Sequence, residues 1–156
     1  MEFKEFNLDP KLLEGIDAIG FNNATPVQEQ VIPIILAGKD LIASAQTGTG
    51  KTAAFLLPII HKIITDVQDD HIQALIIVPT RELALQIAQQ LDGLSYFTPL
   101  SSIASYGGGD GSSFETEKKA LSHGADIVIC TPGKMLSHLN MGYVQVKELK
   151  YLILDE

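Results

Sequence analysis

A single cysteine, Cys130, is all the thiol chemistry this chain has. That excludes an internal disulfide, and a reducing, cytoplasmic compartment is the one that fits. Basic charge is scarce too: 11 lysines and arginines stand against 19 acids, a net charge of −8. General nucleic-acid binders carry a basic footprint, so any contact with nucleic acid here has to come from local geometry. No apolar run reaches the roughly 20 residues that span a bilayer. The opening MEFKEFNLDP is acidic and mixed, which fits neither a signal peptide nor a transit peptide. The four histidines, His61, His71, His123 and His138, show no ligand spacing with one another or with Cys130, which argues against a structural zinc site. What the chain does have is apolar residues, 46% of 156, enough for one domain with a real core.

Five β-rich runs punctuate the sequence: DLIASA (40–45), QALIIVP (73–79), LSSIASY (100–106), DIVICT (126–131) and YLILDE (151–156). The second, fourth and fifth are nearly continuous apolar stretches, the pattern of strands buried on both faces. Between the runs lie helical patterns, KTAAFLLPIIHKII, RELALQIAQQLDGL, FETEKKALSHG and PGKMLSHLN. Upstream, DPKLLEGIDAIG and TPVQEQVIPIILAG read as two further helices ending near glycines. Alternating strand and helix predicts an α/β fold, a mostly parallel sheet with helices on both faces. The stretches DVQDDH and GGGDGSS read as connections, not as linkers between domains.

The stretch after the first run, Ala45-Gln46-Thr47-Gly48-Thr49-Gly50-Lys51-Thr52, leaves a predicted strand and opens a predicted helix. In that context it reads as a phosphate-binding loop rather than a chance turn. Glycines let backbone N–H groups turn inward without a Cβ clash, and the helix start adds unpaired donors and about half a positive charge. Lys51 reaches terminal phosphates and the Thr52 hydroxyl can ligate Mg²⁺. The general pattern opens on glycine, where this chain has Ala45. The metal-side acid is expected at the end of another strand of the same sheet. YLILDE supplies Asp155 as the Mg²⁺ anchor and Glu156 as activator of the attacking water, a pairing suited to metal-assisted phosphate hydrolysis.

In a parallel sheet all carboxyl ends share one edge, where ligands bind. After the second strand come Pro79, Thr80 and Arg81. Thr80 suits a helix N-cap, while Arg81 in a first turn opposes the helix dipole unless an anion lies nearby. After the fourth strand, Thr131, Pro132, Gly133 and Lys134 repeat the device, with proline at the first helical position. Gly107, Gly108 and Gly109 after the third strand leave backbone open to close approach. Together these predict a row of phosphate contacts; the bland alternative is solvated surface charge.

These residues resemble the first domain of DEAD-box ATP-dependent RNA helicases. AQTGTGKT (45–52) resembles motif I, PTRELA (79–84) motif Ia, and GG (107–108) the motif of that name. TPGK (131–134) resembles motif Ib, LDE the start of motif II at 155–156, and GFNNATPVQ the Q motif, which with its isolated aromatic extends over 3–28. Phe3 lies seventeen positions before Gly20, where the family has that aromatic. The resemblance covers essentially the whole chain and implies a RecA-like P-loop fold that uses ATP and Mg²⁺. It implies that Gln28 hydrogen-bonds the adenine edge and Phe3 stacks on it. From spacing alone, Thr25-Pro26-Val27-Gln28 equally fits a capping box. It also implies that Thr80, Arg81, Gly108, Thr131 and Gly133 touch the RNA backbone, contacts that carry no base code. Lys134 departs from the family's usual arginine and loses its planar fork.

Resemblance further implies that the second RecA-like domain, the rest of motif II and a strand between the first and fifth runs are absent from these 156 residues. A gap in the sheet is then expected, with negligible hydrolysis and no unwinding by this stretch alone. The remaining alternatives are a nucleotide- or RNA-binding fragment without catalysis and a P-loop phosphotransferase. In the latter, Gln28, PTRELA and TPGK would have no task.

Overall fold

The computed structural model describes residues 1–66, 71–107 and 111–156, with the backbone alone for 111–113. Most of the DVQDDH connection, and the candidate Gly108, lie outside the described residues. The chain forms two compact units, Met1–Val67 with Gln90–Pro99, and Gln68–Gln89 with Leu100–Glu156.

The first unit is helical. A 3₁₀ turn over Phe3–Phe6 drives both phenylalanines inward. Helix α1 (Pro10–Ala18) starts on Asp9, whose carboxylate accepts from the Lys11 N–H at 2.9 Å. Helix α2 (Pro26–Leu36) follows Thr25. Gly20 and Gly38, where those two helical patterns were expected to stop, have φ of +80° and +76°, a conformation that glycine adopts without strain. Helix α3 (Lys51–Thr65) is the centre of the unit: residues 53–60 are buried without a break, and α1 and α2 pack on it. An interior proline such as Pro58 costs about 3 kcal/mol. Burying Leu56, Leu57, Ile59 and Ile60, at about 1.5–3 kcal/mol each, outweighs that.

The second unit is built on a parallel sheet of β1 (Ala74–Ile77), β2 (Ser102–Ser105), β3 (Ile127–Cys130) and β4 (Tyr151–Leu154), in the order β2-β3-β1-β4. Helices α4 (Arg81–Leu94), α5 (Gly111–His123) and α6 (Pro132–Asn140) make the connections. On one face Leu75, Val128 and Cys130 pack with Leu121 of α5 and Met135 of α6. On the other, Ala74, Ile76, Ile127 and Ile129 are fully buried. The expected α/β class with a parallel sheet is what forms, and the apolar runs of β1 and β3 are buried on both faces as their composition demands.

Two expectations need correction. The run YLILDE reads as buried on both faces, yet Leu152 and Leu154 are 58% and 71% exposed. β4 ends the sheet, paired only to β1 among the described residues, and one of its faces is uncovered. Residues 40–45 form no strand at all, and Ile42 is fully exposed. An extended segment becomes a strand only when a ladder takes its N–H and C=O groups, and no described strand does so here.

Candidate functional site

The loop 45–52 keeps the shape its glycines allow. Gly48 and Gly50 take φ of +82° and +84°, and the Thr49 hydroxyl donates to the Gln46 carbonyl at 2.6 Å, closing the turn on itself. Ala45 is half-buried, Gln46, Thr47 and Gly48 are exposed, and Thr49, Gly50, Lys51 and Thr52 are half-buried. Helix α3 begins behind Gly50 with no side-chain cap. Its first N–H groups, Lys51 and the Thr52 hydroxyl form a donor set that fits a phosphate group. A Mg²⁺ carried on phosphates needs only one or two protein ligands, so Thr52 and a carboxylate suffice.

Gln28 holds this loop from below. Its Oε1 accepts from the Thr25 N–H at 2.9 Å, and its own N–H donates to the Thr25 hydroxyl at 3.4 Å. The capping box that the spacing allowed is therefore formed. A third bond, from Gln28 Nε2 to the Gly50 carbonyl at 3.1 Å, joins the start of α2 to the start of α3. Nothing in the sequence spacing of residues 28 and 50 signals it. A Cβ on Gly50 would lie 2.5 Å from Gln28 Nε2, so any other residue there would displace that amide as well as strain the φ. The amide keeps one N–H and one lone pair, the complement of an adenine edge, but Gln28 is only 2% exposed. Phe3 is likewise a core residue at 3% exposure, its ring stacked 6.2 Å from Phe21 and tilted against Phe6. Its ring face is not presented to solvent; the 3₁₀ turn folds it into the core.

The second unit carries the remaining candidates on one rim. Ser105 stands opposite Cys130, Cys130 opposite Ile77, and Ile77 opposite Leu154, so the four strand ends are level. The ladder continues one step further, with Thr131 N–H on Ser105 O at 3.2 Å, Val78 N–H on Cys130 O at 3.0 Å and Asp155 N–H on Ile77 O at 3.0 Å. Pro79, Thr80 and Arg81, then Gly107, then Thr131, Pro132 and Gly133, then Asp155 and Glu156 all leave that rim. The Thr80 hydroxyl accepts from the Leu83 N–H at 3.2 Å and caps α4 as expected. Thr131 makes no side-chain cap on α6, against expectation. Pro79, Thr80, Arg81, Gly107, Pro132 and Gly133 are exposed, and a Cβ on Gly107 or Gly133 would meet open space. The Arg81 guanidinium lies 5.5 Å from the centre of the Tyr106 ring. Asp155 is half-buried and Glu156 exposed.

Sequence reasoning missed a polar cluster behind the rim. Glu117 of α5, 7% exposed, accepts at Oε2 from the Ser105 hydroxyl at 3.0 Å and lies 2.8 Å from His138 Nε2. The other ring nitrogen of His138 pairs with the Tyr143 hydroxyl, and Phe114 stacks on the imidazole at 4.6 Å. A carboxylate oxygen only accepts, so Nε2 carries a proton toward Glu117. Burial, aided by Glu117 and Glu115, raises the Tyr143 pKa and keeps its hydroxyl protonated. Ser105, Glu117 and His138 come from three separate elements, and no sequence interval links them. Lys134 joins the same cluster, its Nζ 3.7 Å from Glu117 Oε2.

Residues 25–156 match the family model for DEAD/DEAH box helicases. The chain is 48% identical, over 99% of its length, to the ATP-dependent RNA helicase CshA of Listeria monocytogenes. It is 47% identical, over its full length, to the DEAD-box ATP-dependent RNA helicase CshA of Streptococcus pneumoniae. With the ATP-dependent RNA helicase RhlB of Hamiltonella defensa it shares 41% identity over 99% of its length. It spans 29% of the length of each of the first two relatives and 37% of the third. No helix among the described residues is long and apolar enough to cross a membrane. With a family model matching all but the first 24 residues, and relatives of one kind matching the whole chain, the protein belongs to the DEAD/DEAH box helicase family.

Proposed function

We propose that residues 1–156 are the ATP-binding and RNA-binding part of an ATP-dependent RNA helicase, which couples ATP hydrolysis to local unwinding of an RNA duplex. The observation that carries this reading is the level rim of the second unit, where four strand ends present Thr80, Arg81, Gly107, Thr131 and Gly133 in line with Asp155. Exposed glycines, a threonine hydroxyl and a helix start suit a sugar-phosphate backbone and no base edge. RNA binding is then independent of base sequence.

In this reading the loop 45–52 takes the phosphates of ATP, with Lys51 on the terminal ones and Thr52 on Mg²⁺. Asp155 supplies the metal's carboxylate, and Glu156 activates water. Gln28 turns its remaining N–H and lone pair to adenine when ATP binds, while stacking by Phe3 requires its ring to be uncovered. Hydrolysis by this stretch alone is expected to be negligible, and what supports this is that β4, which Asp155 and Glu156 follow, is paired on one side only among the described residues. A P-loop phosphotransferase is the weaker reading, since it leaves the rim without a task.

Nucleotide selectivity tests the assignment. In Gln28→Ala, affinity for ATP should fall by about tenfold or more, the scale of a lost pair of hydrogen bonds to a base, with GTP affinity changing much less. Equal losses for ATP and GTP, measured by fluorescence titration, would reduce Gln28 to a structural staple. Failure of a labelled single-stranded oligouridylate to bind in the presence of ATP and Mg²⁺ would remove the RNA reading altogether.

A further inference from the structure

Lys134 begins α6 on the rim side, where sequence reasoning expected a cation for phosphate. The structure draws it elsewhere. Its side chain is only 18% exposed, its Nζ lies 3.7 Å from Glu117 Oε2, and it sits 5.1 Å from the centre of the Phe114 ring. The carboxylate oxygen that holds it is nearly buried and is fixed by two further donors, the Ser105 hydroxyl and His138 Nε2. A partly buried carboxylate, little screened by water and salt, competes well for an ammonium against a solvated phosphate. An aromatic face beneath the ammonium adds to the hold. Lysine is a point charge on a flexible stem, so the same residue could reach outward if that hold were lost.

We propose that Glu117 is an internal competitor for RNA phosphate. It masks Lys134, so that the first turn of α6 meets the backbone through its N–H groups and the uncapped Thr131 hydroxyl, without a lysine charge. This inference rests on the RNA-binding reading above. It assigns Glu117 a restraining role: removing its charge frees Lys134 and tightens RNA binding. A glutamine at 117 keeps an oxygen for Ser105 and His138 and loses only the charge.

Two measurements on the 156-residue chain and its variants decide it. The first is the acylation rate of each lysine by an amine-reactive ester, read by peptide mass spectrometry. Lys134 should react severalfold more slowly than the exposed Lys119 in the wild type, and should approach it in Glu117→Gln. The second is affinity for labelled oligouridylate against salt concentration. One freed cation contributes a slope of about −0.7 for single strands, so Glu117→Gln should bind tighter and its slope steepen by that amount. Lys134→Ala should match the wild type, and the double variant should lose the gain.

Lys134 reacting as fast as Lys119 in the wild type would overturn the masking. Glu117→Gln binding no tighter with Lys134 newly reactive would overturn the competition. Should Glu117→Gln fail to fold, Lys134→Ala decides alone: weakened RNA binding in it overturns the proposal, and unchanged binding supports it. If no variant binds RNA, the functional reading fails and the competition with it, and the acylation rates alone still decide whether Lys134 is masked.

Discussion

At the scale of single residues, position in an element does not fix what a side chain does. Arg81 and Lys134 carry the same sequence signal, a cation in the first turn behind a threonine. Arg81 is exposed beside Tyr106, and Lys134 is drawn to Glu117. The difference comes from α5, which brings a carboxylate to one of them and not to the other. His61 makes the same point in the first unit. The Asp9 N–H donates to its Nδ1 at 3.0 Å, tying the start of α1 to α3, so the ring must be neutral with its proton on Nε2. Burial lowers its pKa below the ordinary 6.5; nearby Asp9 opposes the shift and Lys62 reinforces it. The unfolded chain therefore binds this proton more readily than the folded one. Stability from His61 is fully present above pH 6.5 and is lost as pH falls from there through the lower folded value. Urea denaturation at stepped pH should show that decline. His61→Gln, whose oxygen accepts the same bond without titrating, should flatten it. An imidazole titration midpoint above 6.5 by NMR would contradict the assignment.

At the scale of elements, close approach decides where propensity would mislead. Gly15 lies inside α1, where alanine is favoured by about 1 kcal/mol. A Cβ there would stand 2.2 Å from the Leu94 carbonyl oxygen and 3.0 Å from its carbon, both rigid backbone at the end of α4. Overpacking of this kind costs about 1–3 kcal/mol, so the clash prevails. Gly15→Ala should lower the urea midpoint, and an unchanged or raised midpoint would show that α1 and the end of α4 can separate freely. The helices and the central strands were legible because their signals are local: a proline directly behind an aspartate or threonine at Pro10, Pro26 and Pro132, and unbroken apolar runs at β1 and β3. Residues 40–45 carry a shorter β-rich run broken by Asp40 and Ser44, and Ile42 ends in solvent. Strand character there depends on a neighbour that composition does not reveal. The rim was legible from the parallel pattern. The Glu117 cluster and the Gln28–Gly50 bond were not, because each joins residues whose spacing has no period.

At the scale of the whole 156-residue chain, charge sets the terms of the encounter with RNA proposed above. A net charge of −8 repels a polyanion at long range, and against it the rim sets the Arg81 cation and the partial charge of helix starts, with Lys134 drawn to Glu117. Proteins that bind nucleic acid through a basic face associate more slowly as salt screens the attraction. Here screening removes a repulsion instead, because the Debye length shrinks from about 30 Å at 0.01 M to about 8 Å at 0.15 M. The association rate constant for oligouridylate, measured by stopped-flow fluorescence, should therefore rise over that salt range. Affinity should change less than it does for a basic binder, since few counterions leave the RNA. A rate that falls steadily with salt would mean that the cations near the rim, Arg81 foremost, outweigh the acidic remainder. The same experiment on Arg81→Ala then separates local from global charge: the variant should associate more slowly than the wild type at low salt and converge on it as the charges are screened, and its rate should rise with salt even if the local cation makes the wild-type rate fall.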